Sequence, residues 1–171
     1  MKEFISMPKL MVRFTRGKDK KDVLSVVRED GSKSWQHQQA GIPKHDLAHY
    51  AVESTLGLRD AFYGLLAQGW DIERLTDRDV RSILPPEGLW SEFVVGLVQT
   101  ERLSAEPLSA VEFNEMLEKE KENSGLKFAR ELTDDQLHRI RETYSTAYSR
   151  WRTLQPGESM TLDFPLNSDG L

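Results

Sequence analysis

The sequence predicts an α+β fold in which a small antiparallel sheet packs against a bundle of about five helices. Two observations support this prediction. Short segments near both ends of the chain, at about residues 10–14 and 160–164, alternate apolar and polar side chains in the manner of strands. Between them, from Pro43 to about residue 154, apolar residues recur at helical spacing. We therefore expect the N-terminal strands and the C-terminal strand to form one sheet beside the helices.

Length and composition indicate one domain. A chain of 171 residues suits a single hydrophobic core, so we expect residues 1–171 to fold together, with flexible tails at about 1–8 and 166–171. Hydrophobic residues make up 38% and charged residues 30%, and no apolar run reaches the ~18 residues of a membrane helix. We expect a soluble protein without a membrane partner.

Cysteine content and charge narrow the range of functions. The chain has no cysteine and its first residues do not form a secretory signal, which favours a cytoplasmic protein without disulfides or thiolate metal sites. The net charge of −5 argues against a general nucleic-acid partner. A second copy of the chain remains a candidate partner.

The N-terminal strands follow from alternation and a turn signal. Leu10, Val12 and Phe14 share one face of the first strand. Asp30-Gly31 is a strong tight-turn dipeptide, so residues 23–29 and 32–38 are predicted to form a hairpin.

The first helices are placed by proline and glycine. Pro43 suits a first helical turn and Gly57 a helix end, which predicts a helix over about residues 43–56. A second helix is predicted over about 59–68 with Gly69 as its cap. Thr76 is predicted to start a short helix that Pro85-Pro86 ends, and the apolar spacing from Leu89 predicts another.

Two later helices have clearer starts. Ser109 with Glu112, and Thr133 with Gln136, match the capping box, in which the two side chains satisfy each other's free backbone N–H groups. The second of these helices has a continuous apolar stripe and should face the core. Its members are Leu137, Ile140, Tyr144, Ala147, Trp151 and Leu154. Residues 155–157 should end it before the final strand.

The strongest chemical signal is the segment HDLAHYAVE, at residues 45–53. On a helix His45 and His49 lie one turn apart, with Cβ atoms roughly 5–6 Å from each other. The same spacing lets the HExxH helix of zinc proteases offer two imidazoles to one metal ion. Both histidines border the apolar face of the predicted helix, which suits either a shielded site or a structural hydrogen bond.

Helix geometry limits what the neighbouring acids can do. Glu53 lies roughly 12 Å from His45 along the axis, too far to share one ion, so we expect it to orient His49. The third ligand should come from elsewhere, and the candidates are His37, His138 and Glu142. Asp46 stands where HExxH has its general base, although an acid in a first helical turn also needs no functional explanation. The implied cofactor is a divalent, zinc-like metal ion.

Three resemblances involve this segment. The stretch HDLAHYAVESTLGLRDAFYGLLAQGW, and also GESMTLDF, resembles a family of small uncharacterised bacterial proteins that implies no activity. His45-Asp46 with His49 resembles the HDxxH motif of a ubiquinone-biosynthesis family, which implies zinc binding. That motif has a glutamate after eleven further residues, where this chain has Ala61. The His-Asp doublet is also similar to that of HD-type phosphohydrolases, whose upstream helical histidine could only be His37, in a predicted strand.

Two functions therefore remain open. One is a metal-binding or hydrolase-like site at His45 and His49, with Asp46 as a base and Glu53 as the orienting residue. The other is a non-catalytic interaction or structural domain, in which the same residues cap, pair and hydrogen-bond.

Overall fold

A computed structural model of the chain describes residues 9–19 and 21–166. The tails predicted at 1–8 and 166–171 lie outside the described residues, except for Leu166. The strands are β1 (Lys9–Thr15), β2 (Asp22–Val27), β3 (Lys33–Gln38) and β4 (Ser159–Pro165). The helices are α1 (Ile42–Leu56), α2 (Phe62–Ala67), α3 (Ile72–Thr76), α4 (Pro86–Glu101), α5 (Ala110–Ser124) and α6 (Asp134–Thr153), with a 3₁₀ turn at Val80–Ser82.

The four strands form one antiparallel sheet in the order β3-β2-β1-β4. The predicted hairpin is present, and Gly31 takes a φ of 82° in its turn, which is accessible to glycine without strain. The final strand returns to the opening sheet as expected, pairing Leu10 of β1 with Phe164 of β4. The α+β fold predicted from the sequence is therefore confirmed.

One face of the sheet packs against the helices. Leu10, Val12 and Phe14 are fully buried, as the alternation predicted. The apolar stripe of α6 is buried from Leu137 to Trp151. Burying each side chain of that size contributes about 1.5–3 kcal/mol, so the stripe holds α6 in place although its other face is charged.

Helix α1 lies in the middle of the helical layer. It packs against both α4 and α6 and ends, as predicted, at Gly57, whose φ is 65°. Contacts on two sides explain why α1 buries polar residues as well as apolar ones. Asp46, His49 and Glu53 are all less than a tenth exposed.

Three predicted helix limits were wrong. Helix α2 starts at Phe62 because the carboxylate of Glu53, on α1, accepts hydrogen bonds from the backbone N–H groups of its first turn. Thr76 ends α3 instead of starting a helix, since its hydroxyl donates to the carbonyl of Ile72 and Asp77 is extended. Pro86 begins α4 instead of ending a helix. Proline has no backbone N–H, and in the first turn this costs nothing because an N–H there would have no partner within the helix.

The two predicted capping boxes are confirmed at the starts of α5 and α6. In both, the hydroxyl of the capping residue accepts from the backbone N–H of the residue three positions later. The side chain of that later residue accepts in turn from the backbone N–H of the capping residue. Within the described part of the chain, no helix has the length and apolar character needed to cross a membrane.

Candidate metal centre

Helices α1 and α4 run antiparallel beside each other and bring three ligand-type side chains together. His45 of α1 contacts Gln99 near the end of α4, whereas Glu53 contacts Ser91 near its beginning. Between these two contacts, His45 and His49 face Glu92 of α4. This group of two imidazoles and one carboxylate is called the HHE cluster below.

The ligand atoms of the HHE cluster converge on one point. The Nε2 atoms of His45 and His49 are 3.1 Å apart. The His49 Nε2 lies 3.4 Å from Oε1 of Glu92, and the His45 Nε2 lies 3.9 Å from Oε2. One ligand atom from each residue lies within 4.8 Å of the other two, which is close enough for all three to contact one ion.

The Nδ1 atom of each imidazole has an acceptor of its own. The Nδ1 of His49 lies 2.8 Å from the Glu53 carboxylate, the contact expected from their spacing of four residues. The Nδ1 of His45 lies 2.9 Å from the amide oxygen of Gln99. Because both partners are acceptors, each Nδ1 carries the proton, and each neutral ring then has its free lone pair on Nε2.

The carboxylate of Glu53 is fully buried and held by four donors. Besides the ring of His49, it accepts from the backbone N–H groups of Phe62 and Tyr63 and from the hydroxyl of Ser91. These contacts tie α1 to the start of α2 and to α4. They also fix the position of the carboxylate, which in turn fixes the ring of His49.

The pKa values of the two histidines move in opposite directions. Burial alone would lower the pKa of His49, but its hydrogen bonds with Glu53 and Glu92 outweigh burial and raise this pKa well above 6.5. Burial and then the nearby charge of His49 lower the pKa of His45. Without an ion, an additional proton in the HHE cluster is therefore favoured on His49, at Nε2, over His45.

One side of the HHE cluster is open. The side chain of His49 is only 4% exposed, whereas those of His45 and Glu92 are 40% and 30% exposed. The ring of Phe62 packs beside His49, with centroids 5.8 Å apart. The arrangement is closed toward the core and accessible from the outside of the α1–α4 pair.

Asp46 does not belong to the cluster, and it does not lie in a first helical turn either, because α1 begins at Ile42 and its first turn contains no acid. Its buried carboxylate accepts a hydrogen bond from the side-chain amide of Gln38 on β3. Its backbone carbonyl accepts from the hydroxyl of Tyr63. Burial raises the pKa of Asp46 to about 7, against the opposing effects of His49 and Gln38. The role of a base at Asp46 stays a prediction.

None of the three residues expected to supply the third ligand joins the cluster. His37 lies on β3, where its ring contacts Trp35. His138 and Glu142 pair with each other on the solvent face of α6, at 3.4 Å, with both side chains about two thirds exposed. Their spacing of four residues directs them to each other and away from α1.

The residue that sequence reasoning missed is Glu92. A signal for it was present, because Glu92 is the one charged residue between Glu87 and Glu101 in an otherwise largely apolar helix. A lone acid in such a helix suggests a partner on a neighbouring element. What the sequence did not show was that α4 would pack against α1 in this register.

Comparisons of the chain with family models, with curated proteins and with solved structures found no match. The resemblance of residues 45–70 to a small bacterial family therefore stays a prediction. Any function assigned to the chain must rest on the geometry of the HHE cluster and its surroundings.

Proposed function

We propose that the chain binds a divalent, zinc-like metal ion through His45, His49 and Glu92. The observation that carries this proposal is the convergence of two imidazole lone pairs and a carboxylate on one point. With both Nδ1 atoms already donating to Glu53 and Gln99, the two facing Nε2 atoms need either an additional proton, as on His49 in the metal-free chain, or a metal cation. A cation between them removes the repulsion.

The spacing of the ligand atoms supports the proposal. Nitrogen and oxygen ligands bind zinc at about 2.0–2.2 Å, and in a tetrahedral site such atoms stand roughly 3.3 Å from each other. The two Nε2 atoms are 3.1 Å apart, and the nearest carboxylate oxygens of Glu92 lie 3.4 Å from His49 and 3.9 Å from His45.

The surroundings of the histidines also suit a metal ion. Imidazole ligands of metals usually donate their second N–H to a carboxylate or carbonyl, which fixes the ring and increases its basicity. Glu53 does this for His49, and Gln99 does it for His45. Replacing such partners typically weakens metal binding by about 10- to 100-fold.

A hydrolase-like activity at the same metal site is the second part of this proposed function. Three protein ligands and an accessible side are typical of catalytic zinc sites, which keep a position for water, whereas structural sites use four protein ligands. His45 and Glu92 supply the accessible side. Bound zinc lowers the pKa of its water to about 7 and so makes hydroxide available near neutral pH.

The test is metal analysis of protein purified without an affinity tag and then titrated with zinc, manganese or iron. We expect about one equivalent of metal in the wild-type chain and much less in a His45→Ala/His49→Ala double variant. A His138→Ala variant is the matched control, because His138 also pairs with a glutamate four residues away. Equally weak binding by all three proteins would contradict the proposal and favour the non-catalytic interaction domain.

A further inference from the structure

A second group of side chains, which the metal proposal does not use, surrounds the ring of Tyr148 on α6. Its centroid lies 4.9 Å from Cζ of Arg102, 5.6 Å from Nζ of Lys44 and 5.9 Å from Cζ of Arg152. The three cations come from the end of α4, the first turn of α1 and the end of α6. They are called the Tyr148 cation cluster below.

The three cations have no acidic partner among the described residues. No ion pair of the described chain includes Lys44, Arg102 or Arg152. Two other arginines of α6 do find acids, since Arg141 binds Glu101 and Arg139 binds Asp135. Contact with an aromatic face attracts each cation, but it does not reduce the repulsion among three of them.

Two further features make the same region favourable for an anion. Helix α1 begins at Gly41 without a side-chain cap and has no acid in its first turn, so the positive end of its dipole is uncompensated beside Lys44. Arg102 also covers the ring of Tyr144, at 5.0 Å. The hydroxyl of Tyr144 is buried and has no hydrogen-bond partner among the residues that the structure describes.

We propose that the Tyr148 cation cluster is a binding site for a phosphate group, carried by a small ligand. A phosphate has about two negative charges and at least three acceptor oxygens, so it can accept from more than one of the cations that lie within 5.9 Å of the ring centroid. A carboxylate has one charge and two oxygens, and leaves part of the cluster unsatisfied. Arg102 and Arg152 are exposed and Lys44 is half-buried, so a ligand can reach all three.

The proposal goes beyond metal binding and does not depend on it. It is tested on protein freed of metal with a chelating resin, because a soluble chelator is itself an anion. Titration with inorganic phosphate, followed by amide chemical shifts, should give saturable changes around Lys44, Arg102 and Tyr148. Loss of one charge-assisted contact in Arg102→Gln should weaken binding about tenfold.

The matched control is Arg74→Gln. Arg74 also lies over an aromatic ring, that of Trp70, at 4.3 Å, but it is on α3 and is the one cation of the described residues that contacts that ring. Its substitution should leave the phosphate affinity unchanged. An equal loss in both variants would show that only net charge matters, and an absence of saturable binding to the wild-type chain would overturn the proposal.

A lipid headgroup offers the same phosphate chemistry, so a second experiment separates the two sources. The chain is sedimented with vesicles of phosphatidic acid in phosphatidylcholine. Binding to free phosphate without retention on the vesicles supports the proposed small-ligand site. Retention that Arg102→Gln abolishes, without any binding of free phosphate, would overturn it in favour of a membrane-surface contact.

Discussion

The Nε2 atoms of His45 and His49 face each other at 3.1 Å while the opposite nitrogen of each ring is bound to an acceptor. Two lone pairs at this distance require a positive charge between or beside them. A proton on His49 meets this requirement in the metal-free chain, and a metal ion would meet it for both rings and for Glu92 together.

Replacing Glu92 with Gln should weaken zinc binding by about 10- to 100-fold, because the variant loses an anionic ligand and keeps both histidines. Glu92 also contacts the protonated ring of His49, so the metal-free variant should be less stable than wild type, and affinity is compared where both proteins are folded. Competition with a chromophoric chelator measures the affinity. Glu142→Gln is the matched control, because Glu142 also pairs with a histidine, and an equal loss in both variants would exclude Glu92 as a ligand.

Metal affinity should rise with pH. The proton on His49 must leave before Nε2 can bind a metal, and the hydrogen bonds with Glu53 and Glu92 hold its pKa well above 6.5. Below that pKa, each unit of pH should increase zinc affinity by up to about tenfold, and binding should release a proton. Calorimetry in two buffers of different ionisation enthalpy measures the release. Affinity that is independent of pH between 6 and 8 would show that His49 is not a ligand.

The sheet, the long helix α6 and both capping boxes could be predicted from the sequence because each depends on local signals. The alternation around Val12 and the pairing of Thr133 with Gln136 need only neighbouring residues. The half of the candidate site on α1 could be predicted for the same reason. Glu92 could not, because its place beside His49 depends on how α4 packs against α1, and that is a tertiary property.

Asp46→Asn should change the pH dependence of stability. Burial raises the pKa of Asp46 from 3.8 to about 7, so between these pH values the unfolded chain releases a proton that the folded chain retains. The stability that this group contributes is therefore complete below pH 4 and is lost as pH rises to about 7. The asparagine side chain of the variant cannot ionise and can still accept from Gln38.

As pH rises from 4 to 8, the free energy of unfolding of Asp46→Asn should therefore increase relative to that of wild type by up to a few kcal/mol. Urea denaturation at both pH values measures the difference. Asp135→Asn serves as the control, because Asp135 is 78% exposed and forms a surface pair with Arg139. A difference between Asp46→Asn and wild type that does not change with pH would contradict the raised pKa.

Replacing Glu53 with Gln should affect both stability and metal binding. The buried carboxylate accepts from His49, Ser91 and two backbone N–H groups of α2, and an amide offers one oxygen to these donors while its NH₂ group faces the others. We expect a loss of about 2–4 kcal/mol in the free energy of unfolding. Ser91→Ala, which removes one of the donors, should cost about 1 kcal/mol.

The two effects of Glu53→Gln can be separated. Where the variant is folded, the Nδ1 of His49 faces a neutral amide instead of a carboxylate, and this weaker acceptor holds the orientation and the charge of the ring less firmly. Zinc affinity should then fall about 10- to 100-fold, and nitrogen chemical shifts of the imidazole should show that the pKa of His49 is lower than in wild type. Ser91→Ala leaves the contact of Glu53 with His49 in place and should retain zinc affinity. If Glu53→Gln is destabilised but binds zinc as tightly as wild type, Glu53 supports the fold without orienting a metal ligand.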